Sequence, residues 1–109
     1  MADVEVYADN TGVVVKTLKH SIITGLTTVG MVAEGYAKRL CPVDTGRLRN
    51  SITNAVVESE KAVYIGTNVE YAPYVELGTR RQEAQPFLKP AAQDHASEYR
   101  QILRGEIGG

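Results

Sequence analysis

From Val13 to Leu40 the apolar residues recur every three or four positions, and Pro42 closes the run. Val14, Leu18, Ile22, Leu26, Val29, Val32/Ala33, Tyr36/Ala37 and Leu40 form one continuous stripe at helical spacing, with Lys16, Lys19, Thr27, Glu34 and Lys38 mostly off it. The spacing predicts one long helix. Lys38 and Arg39 suit its C-terminal dipole end, and Pro42 pushes the residue before it out of the helical region. Gly25, Gly30 and Gly35 each weaken such a helix by about 1 kcal/mol relative to Ala where they face solvent, so they are expected to mark a bend or close contacts. Unbroken, the helix would run about 40 Å. A compact domain of this length has a radius of gyration near 13 Å. The helix is therefore expected to bend or to overhang its domain, and an overhanging apolar face calls for a partner chain.

The rest of the chain reads as strand and short helix. Asp3 to Tyr7 alternates as a half-buried strand, and Asp9-Asn10-Thr11-Gly12 is turn chemistry. Leu48 to Glu58 and Lys61 to Thr67 read as two strands joined by Glu58-Ser59-Glu60 into an antiparallel hairpin. Tyr71 to Leu77 reads as a short helical turn, with Pro73 tolerated near its start and Gly78 as its stop. Thr79 to Gln85 is polar and predicts an exposed loop; Phe87 and Leu88 return the chain to the core. A second helix is expected from about Pro90 to Leu103, followed by a fraying tail from Gly105. The expected fold class is α+β: a small antiparallel sheet packed against one long N-terminal helix, with a C-terminal helix, in one domain over residues 1–109.

Charge and inventory narrow the chemistry. Twelve Lys and Arg against 13 Asp and Glu leave a net charge of −1, which makes no case for wrapping a nucleic-acid backbone. No apolar run approaches the roughly 20 residues of a membrane span, and Met1 to Glu5 lacks the basic and apolar regions of a secretory signal. Cys41 is the sole cysteine and lies at a helix C-terminus, which disfavours a reactive thiolate. His20 and His95 stand at no metal-ligand spacing, so isolated structural histidines are the plainer reading. Nucleotide-loop and nucleophile-elbow motifs are absent. No cofactor is expected. Asp44-Thr45-Gly46 is the triplet of dimeric aspartic proteases, in which two chains share a proton between carboxylates. Here it follows a predicted helix and Cys-Pro-Val instead of an apolar strand, so an Asp-initiated turn with a left-handed glycine reads better; Asp44 as a catalytic residue is the remote alternative.

Two basic pairs, Arg47 with Arg49 and Arg80 with Arg81, lie in or beside loops. They can meet DNA phosphate or the acidic rim of a neighbouring ring, or they are simply solvated charge. With Gln82, Glu83 and Tyr74, whose ring combines large area with a polar tip, they are the interface candidates. Tyr64 and Tyr71 suit either an interface or the core.

Three segments carry a family resemblance: Cys41 to Ile52 (CPVDTGRLRNSI), Ile65 to Thr79 (IGTNVEYAPYVELGT) and Gln85 to Ala91 (QPFLKPA). Their order and spacing resemble those of neck or tail-completion proteins of long-tailed siphophages and prophages, over roughly half of the chain. The resemblance implies a non-catalytic structural subunit of the virion neck or tail, built in the host cytoplasm. It implies ring assembly, typically a hexamer, between the head connector and the tail tube or tail terminator, with passing DNA contact and no membrane. A tail-terminator or other minor tail role is the alternative.

Overall fold

The computed structural model describes residues 4–8, 12–17, 23–42 and 46–104. Its centre is a four-stranded sheet in the order β1-β2-β4-β3, antiparallel throughout: β1 (Val4–Ala8), β2 (Gly12–Thr17), β3 (Thr53–Val57) and β4 (Ala62–Gly66). Residues paired across strands share a face. One row runs Val6, Val15, Val63, Val56; the next runs Ala8, Val13, Ile65, Asn54. Val13, Val15, Val63 and Ile65 on these rows are buried. The opposite face carries Tyr7, Val14, Tyr64 and Ala55 in one transverse row, with both tyrosine rings exposed.

Helix α1 (Ile23–Leu40) crosses the inner face of the sheet through Leu26, Val29, Ala33 and Ala37, all fully buried. The stripe expected from the sequence is therefore real from Leu26 to Ala37, while Leu40 ends it half exposed. Gly30 is where helix and sheet come closest: a Cβ there would meet the Asn54 side chain at 2.7 Å and Val63 at 2.8 Å. At the polar end of the contact, Asn54 Nδ2 donates to Glu34 at 2.7 Å, and Lys38 pairs with the same carboxylate at 2.9 Å. Burial pushes the Glu34 carboxyl up, but the bonds from Lys38 and Asn54 together outweigh it and hold the group below its usual range.

The remaining helices are short: α2 (Arg47–Ser51), α3 (Ala72–Leu77), α4 (Leu88–Gln93) and α5 (Ala96–Leu103). Phe87, Leu88, Ala91, Ala92, Tyr99 and Leu103 complete the core, and the Tyr99 hydroxyl donates to the Ala91 carbonyl at 2.6 Å. Tyr36 on α1 stacks on His95 with ring centroids 3.5 Å apart and donates to Glu98 at 2.5 Å, which ties α5 to α1.

The α+β class stands, and three element readings need correction. The first concerns the single helix over Val13 to Leu40. Gly12–Thr17 is a strand, paired on both sides, and α1 begins at Ile23. Val13-Val14-Val15 and Thr17 are β-branched and favour a pleated surface. At 18 residues α1 is about 27 Å long, well short of the length expected from the sequence, so the length argument for an overhanging face and a partner chain falls. Second, the strand expected from Leu48 begins at Thr53; Leu48 and Ile52, four apart and both buried, carry one turn of helix instead. Third, the C-terminal helix is two helices broken at Asp94 and His95. The hairpin through Glu58–Glu60, the turn at Tyr71 to Leu77 and the core return at Phe87 and Leu88 are as expected. Asp44 and Thr45, His20 and the tail from Gly105 lie outside the described residues; Gly46, just after the triplet, has the left-handed φ of 83°.

Candidate docking site

The polar loop between α3 and α4 is a closed lobe. Thr79 Oγ1 accepts from the Arg81 and Gln82 amides at 3.2 Å each, and the Thr79 amide donates to the Gln82 carbonyl at 2.9 Å. The Gln85 amide then donates to the Val75 carbonyl at 2.8 Å, which returns the chain to α3. Gly78 turns into the lobe at φ 80°, and a Cβ there would meet the Ala84 amide at 2.6 Å. Only glycine combines that φ with that approach.

Below the lobe sits Glu76, buried although charged. Its Oε1 accepts from the Phe87 and Leu88 amides at 3.1 and 3.0 Å, and its Oε2 accepts from Lys89 at 3.1 Å. These amides open α4, where the helix has no partners of its own for them. One carboxylate thus caps a helix from another element and holds the return of the lobe. Sequence reasoning missed Glu76. The signal available was its spacing of four from Ala72, which puts both on the buried face of α3.

Beside the lobe lies an open groove of about 640 Å³. Pro42, Leu48, Tyr71 and Val75 give it apolar lining; Arg47, Gln82, Glu83 and Gln85 give it polar edges. Arg47 makes a two-toothed pair with Glu70, at 3.3 and 3.1 Å, while its guanidinium lies 5.3 Å over the Tyr71 ring. Glu70's own backbone N–H first, and Arg47 second, hold that carboxyl below the usual range. The pair is exposed, so it orients Arg47 more than it stabilises the fold.

Of the seven interface candidates, the structure brings Arg47, Gln82 and Glu83 together around this groove. Arg80 and Arg81 are exposed on the same lobe but do not line it, and Tyr74 is exposed on α3, with 61% of its surface accessible. Arg49 is exposed on α2 and does not line the groove. Tyr71, left between core and interface by the sequence, is half-buried and packs on the core while also lining the groove. Tyr64 is exposed on the outer sheet face. Burial pushes the Cys41 thiol up. Among the described residues, no group of three or more His, Cys, Asp or Glu is placed to hold a metal ion, and no helix is long and apolar enough to cross a membrane.

Fold and site together define a small α+β protein that displays a rigid charged lobe beside an open groove. The chain matches the family model described as "Bacteriophage HK97-gp10, putative tail-component" over residues 8–78, more than half of its length. It belongs to this HK97-gp10-like family of phage tail components. The match runs from the end of β1 to the glycine that stops α3; the lobe, α4 and α5 follow it. No curated protein and no solved structure gave a significant match.

Proposed function

We propose that this tail component is a non-enzymatic neck subunit, which completes the tail and joins it to the head connector by assembling as a ring, a hexamer in the virion. The observation that carries the reading is the lobe over Thr79–Gln85. It is exposed along its whole length, yet hydrogen-bonded at its turn, closed onto Val75 and held from beneath by Glu76. A polar surface held rigid before any partner arrives loses little entropy on docking. Membership in a tail-component family supports the virion tail as its place. Among the described residues, two side chains that chemistry could recruit support a structural role: the Cys41 thiol is buried and His95 is stacked on Tyr36. Head connector, tail tube and tail terminator are the proposed partners, and the DNA passing through the ring touches it only in transit.

Native mass spectrometry and negative-stain imaging of the purified chain, alone and mixed with the connector and tail-tube proteins of its own particle, test this. A closed ring in either sample is expected. A chain that stays monomeric in both and never enters virions overturns the reading.

A further inference from the structure

Two surfaces at opposite ends of the β3–β4 hairpin carry complementary chemistry. Thr53 pairs with Gly66 at the open end, and from there α2 and α3 lead to the groove and the lobe. Val57 pairs with Ala62 at the other end, where the 3-10 turn Glu58–Glu60 closes the hairpin. The lobe end exposes Arg80, Arg81 and Glu83, with Tyr74 and Leu77 of α3, three apart and 61% accessible each, directly before them. No ion pair is made by Arg80 or Arg81 among the described residues. The turn end exposes Glu58 and Glu60, with Lys61 beside them in a left-handed conformation. The Tyr64 hydroxyl donates to Glu60, and that exposed ring shares its sheet row with the exposed Tyr7. The lobe end thus joins two positive charges and one negative charge to the exposed Tyr74 and Leu77, and the turn end joins two negative charges and one positive charge to the exposed Tyr64, so the signs at the two ends are reversed.

We infer that a second copy of this chain is the occupant of the lobe: Arg80 and Arg81 of one subunit meet Glu58 and Glu60 of the next, with Tyr74 and Leu77 packing against Tyr64. The inference rests on the ring reading above and names its subunit contact. Complementary surfaces at opposite ends of one chain make a head-to-tail contact, the kind that closes into rings; a two-fold contact would need one self-complementary patch. Exposed ion pairs are individually weak, so the charges set register and exclude wrong pairings while the apolar side chains supply buried area. Net charge argues against nucleic acid as the lobe's partner, since two arginines on a chain of charge −1 give little counterion release.

Charge reversal tests the contact in whichever sample the wild type forms a ring. Arg80→Glu/Arg81→Glu is expected to raise the subunit dissociation constant at least about tenfold, and Glu58→Lys/Glu60→Lys likewise. An equimolar mixture of the two variants is expected to regain assembly, because each reversed lobe then meets a reversed turn and each native lobe a native turn. Rings of alternating composition by native mass spectrometry support the proposal. Mixed pairs that stop at a closed dimer overturn the head-to-tail contact. Wild-type rings that tolerate either reversal, or variants that both fail and stay apart when mixed, overturn the assignment of these surfaces and leave the ring itself standing. A wild type that never forms a ring overturns the ring reading instead.

Discussion

Glu76 brings a negative charge into the interior and returns three backbone hydrogen bonds for it. A buried charge without partners would be strongly destabilising, whereas a carboxylate taking several amide donors is well compensated. Its removal leaves the Phe87, Leu88 and Lys89 amides without their acceptor at the start of α4. Glu76→Ala is therefore expected to lower stability by about 3 kcal/mol, read as a lower urea midpoint at unchanged slope. Glu76→Gln keeps one acceptor oxygen and is expected to cost about half as much. Equal losses for the two substitutions would show that packing around α3, and not the amide bonds, fixes the cost. This residue was hard to read from the sequence because its partners lie 11 to 13 positions away and are backbone groups, which leave no mark in side-chain chemistry.

At the scale of elements, the glycines of α1 separate packing from propensity. Gly30 lies against Asn54 and Val63 with no room for a Cβ, while a Cβ on Gly35 would meet nothing within 4 Å. Gly30→Ala gains about 1 kcal/mol of helix propensity but forces helix and sheet apart at a cost of about 1–3 kcal/mol, so net destabilisation is expected. Gly35→Ala has only the gain, and a rise of up to about 1 kcal/mol is expected. Thermal melts of the two single variants, moving in opposite directions, check the pair. The same helix–sheet contact predicts acid sensitivity. Glu34 is held below its ordinary value of 4.5, so its stabilisation is present above that pH and is lost as pH falls through the lower, folded-state value. Glu34 is partly exposed, so the effect is expected to stay under about 1 kcal/mol. Urea midpoints compared at about pH 6 and pH 3 should differ less in Glu34→Gln than in the wild type. The sequence misleads about β2 for a reason that lies in arithmetic. Val14, Leu18 and Ile22 stand four apart, and a spacing of four satisfies both a helical turn and a two-residue alternation. Only the β-branched run Val13-Val14-Val15 and the turn residues before it break the tie. From Leu26 onward the spacings of three, which no strand allows on one face, made α1 legible.

For the whole molecule, the question is whether fold and docking surface can be changed separately. The lobe residues were legible as an exposed polar loop, because Arg80 to Glu83 offers nothing to a core. Their meeting with Arg47 around one groove was not, since it depends on how α2 and α3 come together. The lobe's conformation is set by Thr79, Gly78, the Gln85 backbone and Glu76, and none of these bonds uses the side chains of Arg80, Arg81 or Glu83. Substituting surface side chains outside such features changes stability by about 0.5 kcal/mol or less, which for a chain of this size is within about 4 °C in Tm. Arg80→Ser/Arg81→Ser/Glu83→Ser is thus expected to melt within that range of the wild type, with an unchanged circular dichroism spectrum, while weakening the ring assembly proposed above. Thr79→Ala is expected to do the reverse in kind: it keeps every charge but removes the hydroxyl that accepts the Arg81 and Gln82 amides, so the lobe loosens and assembly weakens through lost rigidity. Faster amide exchange across residues 80–82 in that variant, with the core unchanged, is the measurement that separates a loosened lobe from a damaged fold.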